Sequence, residues 1–224
     1  MASVLFLSPH PDDLVYSTFS TLMESAGFGT AIVFFNVSRF TKRGLLPKFL
    51  VTPMRTLEDA LILARLRIET TFLWMEDSSC RPDFIDQELV NSKLDSFRGT
   101  YVSIYCPLGV SGHIDHLAVR SAGVNLWLKS GKRSRICFYE DLPYAARMKD
   151  VDVEVETRVR ELTGTCGRLV VLYRPMNSDG VRRKLFFGSR YLTQNNHSNL
   201  LEMHAKQMGQ RCGEDYAERY VSSS

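Results

Sequence analysis

Two short runs hold the residues best equipped for chemistry: His10-Pro11-Asp12-Asp13 near the start, and His113-Ile114-Asp115-His116 well downstream. Between them they carry three of the five histidines and three carboxylates. Imidazole nitrogens and carboxylate oxygens are what zinc takes in hydrolases, where three protein ligands leave a fourth position open for water. Each run taken alone also has an ordinary explanation. His10 could sit in a turn, and Asp12 or Asp13 could cap the helix that follows. His113 and His116 are three residues apart, so they share a face if a helix begins there. His197 and His204 lie near Asn195 and Asn196 in a polar stretch and read as surface histidines.

What brings the two runs together is the order of elements around them. Apolar or β-branched runs at residues 4–7, 30–37, 70–74, 100–106 and 136–139 read as strands, and 14–26, 54–66, 84–97 and 114–128 read as helices. Such alternation implies an α/β fold, a Rossmann-like three-layer sandwich with a mostly parallel sheet and helices on both faces. The two runs follow the first and fourth strands, and in such sheets ligands bind beside the carboxyl ends of strands where the order reverses. Residues 38–53 form a long polar, basic loop whose Arg39, Lys42 and Arg43 read as solvated, with a hold on an anionic group as the alternative. Beyond Pro143 the rhythm changes. Residues 151–156 alternate strictly and read as a half-exposed strand, 168–173 as a second strand, 180–195 and 200–210 as helices, and 222–224 as a frayed tail. The expected organisation is one domain over 1–224: a core at 1–145 and a C-terminal appended layer at 146–224.

Composition narrows the function classes. In 224 residues, 44% are hydrophobic and 24% charged, and the formal net charge is +3. These are ordinary values for a globular protein, and the scattered basic residues argue against a nucleic-acid partner. No stretch approaches the roughly 18 apolar residues of a membrane helix, and no secretory signal is evident, which together point to a cytoplasmic chain. The five cysteines are widely spaced without a CxxC pair, arguing against a disulfide framework or a cysteine zinc site. A dinucleotide site fails because His-Pro-Asp-Asp, with two negative charges, stands where a GxGxxG turn would cradle a pyrophosphate.

Ser8-Pro9-His10-Pro11-Asp12-Asp13 together with Gly112-His113-Ile114-Asp115-His116 resembles the LmbE-like/PIG-L superfamily of zinc-dependent N-acetylglucosamine-type deacetylases. Arg55-x-x-Glu58, the run Phe138-Tyr139-Glu140-Asp141-Leu142-Pro143-Tyr144-Ala145 and the late Tyr216-Ala217-Glu218-Arg219 extend the resemblance over nearly the whole chain. It implies His10, Asp13 and His116 as ligands of Zn2+, with Fe2+ as another fitting divalent ion. It implies Asp12 as general base, a cationic His113 facing the oxyanion or the leaving amine, and Asp115 as the partner that orients His113. The implied substrate is a small N-acylated molecule, sugar-like and most simply N-acetylated; a thiol-conjugate amidase is a sibling, and the oligomeric state stays open. Leu14 stands where the family commonly has Glu, Ile114 where many members have Pro, and residues 16–21 are bulkier than usual, which expects a distinct pocket floor. A catalytically inactive binding protein on the same fold is the alternative from another class.

Overall fold

The computed structural model describes residues 3–41, 46–81, 84–97 and 99–224. Its centre is a seven-stranded sheet in the order β3-β2-β1-β4-β5-β7-β6. The strands are β1 (Ser3–Ser8), β2 (Gly29–Val33), β3 (Glu69–Phe72), β4 (Tyr101–Pro107), β5 (Arg135–Tyr139), β6 (Leu169–Met176) and β7 (Tyr216–Ser223). The first five pair in parallel, for example Phe6 with Ala31 and with Tyr105. β7 then runs antiparallel to both β5 and β6. Leu5, Phe6, Leu7, Ile32, Ile104 and Phe138 are all 1% exposed or less, as befits strands covered on both faces. Chain order reverses between β1 and β4, so the loops after those two strands open onto one crevice.

The helices are α1 (Asp13–Ser17), α2 (Phe19–Glu24), α3 (Lys48–Arg65), α4 (Gln87–Asp95), α5 (Ile114–Lys129), α6 (Val151–Cys166), α7 (Ser178–Gly188) and α8 (Ser198–Cys212). Among the described residues no helix is long and apolar enough to cross a membrane. The five cysteines are free.

Several sequence expectations are corrected. The helix expected over 14–26 is two, broken at Thr18, because the buried Glu218 carboxylate accepts from the Phe19 and Ser20 amides (2.9 and 3.1 Å) and starts a new helix there. α3 begins at Lys48 rather than 54, with Pro53 inside its second turn. Residues 151–156 are the start of α6, not a strand. Val151, Val155 and Leu162 are buried at helical spacing while Val153 is 63% exposed, so period-two alternation was a coincidence of a helix with charged flanks. Helix α7 stops at Gly188, freeing 189–197 as a loop. The expected frayed tail is the end of β7, an interior strand in which Ser222 is fully buried beside Cys137. His204 is buried, not on the surface, and pairs with Glu140 (2.9 Å).

Candidate functional site

The turn after β4 delivers the second histidine run. Gly109 and Gly112 have φ of 77° and 69°, and a Cβ at Gly109 would meet Leu117 Cδ2 at 2.6 Å, so this tight turn requires glycine. It ends at His113, the N-cap of α5, whose Nδ1 accepts from the Asp115 amide at 3.2 Å. His116 then sits on the first turn, fully buried, its ring centroid 5.2 Å from that of His10. On the other side, β1 ends in Ser8, whose hydroxyl donates to the His10 carbonyl (2.8 Å), and Asp13 opens α1.

Two histidines and one carboxylate converge. His10 donates from Nε2 to Asp115 Oδ2 (2.7 Å), and His116 donates from Nδ1 to Asp141 Oδ1 (2.8 Å). Each ring is thereby fixed from behind by a carboxylate, with its other nitrogen aimed at Asp13. His10 Nδ1 lies 3.2 Å and His116 Nε2 3.5 Å from Asp13 Oδ2. Among the described residues His116 Nε2 makes no hydrogen bond although it is buried. Ligands about 2.1 Å from a tetrahedral ion stand roughly 3.4 Å apart, so these separations suit one divalent cation. The carboxylate–imidazole pairs behind the rings are the outer support such centres use. His10, Asp13 and His116 therefore fit a metal ion in both donor chemistry and spacing.

Electrostatics separates the two adjacent aspartates. Burial opposes the charge on Asp13, yet His116 and His10 outweigh it and hold the carboxyl below its ordinary value. Burial, and then the neighbouring charge of Asp13, push Asp12 well above the usual carboxylate range against the pull of Arg55 and His10. Arg55 Nη2 stands 3.9 Å from Asp12 Oδ1, while its other groups engage Asp77 (3.6 Å), the Ser38 hydroxyl (2.7 Å) and the Gln194 amide oxygen (2.6 Å). Asp12 thus stands beside the candidate ligands but outside them, with a carboxyl of raised proton affinity.

His113 departs from the expected cation. Burial, then the nearby His10 and His116, lower it to about 4, so the ring is neutral near pH 7. Because its Nδ1 accepts a backbone hydrogen bond, the proton sits on Nε2, toward the cleft, with the Ser78 hydroxyl at 3.5 Å. Asp115 also differs from expectation. Its carboxylate orients His10, accepts from the Ser78 amide (3.2 Å) and pairs with Arg81; only its backbone amide touches His113.

A cleft of about 290 Å³ opens over this cluster. Its walls bring in Asp77, Ser78, Ser79, Phe40, Arg147 and Gln194, which sequence reasoning did not single out, together with Tyr144 after β5 and Asn195 and His197 from the loop after α7. The Tyr144 ring packs edge-on against His116 (centroids 5.6 Å apart). Asp141 and Tyr144 carried a signal, since they follow β5, a neighbour of β4 at the same sheet edge. His197, expected at the surface, is half-buried against Tyr16. Arg39 is exposed beside the cleft-lining Phe40; Lys42 and Arg43 lie outside the described residues.

Comparison with known proteins places the chain in a family. The curated 2'-N-acetylparomamine deacetylase of Streptomyces fradiae is 31% identical over 175 residues, 67% of this chain, and the aligned region spans 60% of that protein's length. Among solved structures, the zinc-inhibited form of the teicoplanin deacetylase Orf2 superposes with a TM-score of 0.73 at 20% identity, covering 99% of this chain and 97% of the other. The N,N'-diacetylchitobiose deacetylase of Pyrococcus horikoshii gives 0.70 at 15% identity, covering 98% and 83%. These two likenesses show the shared fold. The family model of GlcNAc-PI de-N-acetylases matches residues 5–127, more than half of the chain and inclusive of both histidine runs, and the chain belongs to that family.

Proposed function

We propose that this chain is a metal-dependent hydrolase that removes an N-acyl group, in the simplest case acetyl, from an amino sugar or glycoside-like metabolite. The observation that carries the reading is the division of labour at one cleft. Two carboxylate-backed histidines and Asp13 converge on a point, and Asp12 stands beside them uncommitted to that point. The relatives named for deacetylation of paromamine, teicoplanin and chitobiose derivatives support an acylated amino sugar as substrate.

His10, Asp13 and His116 would hold the cation, zinc or another divalent ion of the same coordination taste. When bound, it supplies an acidified water and polarises the acyl carbonyl. Asp12 accepts the water's proton at a carboxylate oxygen as the new C–O bond forms, and returns it to the amine nitrogen as the C–N bond breaks, so amide plus water becomes amine plus carboxylic acid. His113 donates from Nε2–H to the carbonyl oxygen as negative charge builds there. A neutral donor fixed by its backbone hydrogen bond needs no reorganisation at that moment. Arg55 steadies the Asp12 carboxylate without holding it tightly.

Metal content of the purified protein, with acetate release from a panel of N-acetyl amino sugars, tests the reading. The expected result is about one divalent ion per chain and turnover that Asp12→Asn lowers by about 10³-fold with the metal retained. Stoichiometric metal with turnover unchanged in Asp12→Asn would remove Asp12 from its role, and absence of metal would favour an inactive binding protein on this fold.

A further inference from the structure

Asp12 has a backbone conformation that its residue type disfavours. Its φ is 93°, in the region that side-chain-bearing residues rarely occupy, and such geometry persists only where the surroundings over-determine it. The surroundings here are specific. The Asp12 amide donates to Asp59 Oδ1 (3.3 Å), and that same oxygen accepts the Tyr191 hydroxyl at 2.6 Å. Asp59 is 2% exposed and Tyr191 is 3% exposed, so water does not compete for either contact.

Tyr191 belongs to the loop after α7, outside the stretch matched by the family model. It is fastened by one face of α3. Arg55 reaches Gln194, Glu58 accepts from the Thr193 amide (3.1 Å) and hydroxyl (2.5 Å), and Asp59 accepts from Tyr191. Residues 55, 58 and 59 are helical neighbours at i, i+3 and i+4, so a single helical face clasps residues 191–194. The Tyr191 ring also packs edge-on against Tyr16 of α1, the helix that Asp12 immediately precedes (centroids 5.7 Å apart).

We propose that Asp59 and Tyr191 are positioning residues that hold the Asp12 backbone in its left-handed conformation and thereby aim the base carboxylate at the cleft. The proposal rests on the reading of Asp12 as general base. Asp59 acts through its oxygen rather than its charge, because the Asp12 amide and the tyrosine hydroxyl are both neutral donors. Removing that oxygen lets Asp12 relax toward an ordinary backbone conformation and swings its carboxylate off line, whereas His10, Asp13 and His116, held by Asp115, Asp141 and the His10 amide, keep their places.

The test is steady-state kinetics on metal-loaded Tyr191→Phe, Asp59→Ala and Asp59→Asn, with metal content and Asp12 amide hydrogen exchange read by NMR on the same samples. Tyr191→Phe removes one hydroxyl and should lower kcat about 10-fold with KM and metal content unchanged; Asp59→Ala should lower it about 100-fold. Asp59→Asn keeps an acceptor oxygen and should stay within about threefold of the parent, a rescue that distinguishes aim from charge. Asp12 amide exchange should be slow in the parent and in Asp59→Asn, and fast in Asp59→Ala. Parent-like kcat in Tyr191→Phe, or loss of metal in step with activity, would overturn the proposal. If the parent hydrolyses no N-acetyl substrate, the functional reading fails, and amide exchange still decides whether Asp59 holds the Asp12 backbone.

Discussion

Two buried polar clusters in this protein use nearly the same ingredients and reach opposite states. Around Glu218, Lys184 Nζ (2.8 Å), the Tyr220 hydroxyl (2.8 Å) and the Phe19 and Ser20 amides all donate to one carboxylate. Lysine and glutamate are 1% and 3% exposed, and every donor converges on an acceptor. Around Asp13, by contrast, one imidazole nitrogen is buried without a hydrogen bond, and the adjacent carboxylate of Asp12 sits on a disfavoured backbone. The closed cluster locks α2 and α7 onto β7. The open cluster keeps a buried imidazole nitrogen without a hydrogen bond where the proposed cation would sit. The difference teaches that burial of charge alone does not mark a site; unsatisfied geometry that its surroundings still enforce does.

The sharpest way to break this contrast is to delete one partner from each cluster. Lys184→Ala leaves a buried carboxylate without its cation and should cost about 3–5 kcal/mol of stability in denaturant melts, while the remaining folded protein keeps its metal. His116→Ala should do the reverse, emptying the metal centre and abolishing acetate release with a far smaller effect on the melt of metal-free protein. If Lys184→Ala lost metal at parent-like stability, the closed cluster would belong to the site after all.

A smaller effect belongs to the outer support. Asp141 fixes His116 from behind and also accepts from the Val110 amide (2.5 Å), so Asp141→Asn keeps the size but weakens the grip on the ring. Metal affinity measured by chelator competition should fall about 10- to 100-fold. Unchanged affinity would mean that packing against Tyr144, rather than Asp141, orients the imidazole.

The parallel core and the two histidine runs were legible because their signals are local: apolar strands, then histidines and carboxylates at the strand ends. The partner of Asp115 was not, because spacing that brings residue 115 near 113 says nothing of a ring on another strand's loop. The charge on His113 was misjudged for a related reason, since burial beside two other imidazoles is visible only in three dimensions. Strict alternation at 151–156 misled because a helix can bury every fourth residue and expose the alternate valine. The loop carrying Tyr191, Gln194 and His197 left no signal, as its contacts with α3 join residues about 130 positions apart in sequence, Tyr191 and Asp59 being separated by 132.

The least perturbing probe of the contrast is acid titration of stability on metal-stripped protein. Burial opposes ionisation of Glu140, but His204 and Arg219 overcome it and hold the carboxyl below its ordinary value. Its contribution is therefore fully present above about pH 4.3 and is lost as pH falls through the lowered value. Asp59 runs the other way. Burial raises it to about 7 against the Tyr191 hydrogen bond, so the folded state holds a proton that the unfolded chain has already released. Between about pH 4 and pH 7 that difference makes stability fall as pH rises, by at most about 1.4 kcal/mol per pH unit. Denaturant midpoints measured from pH 3 to 8 should then show Asp59→Asn flattening the upper part of the profile and Glu140→Gln flattening only the acid limb. Identical profiles for Asp59→Asn and the parent would mean that Asp59 ionises normally, and that the open cluster is less sealed from solvent than its neighbours Tyr191 and Asp12 make it.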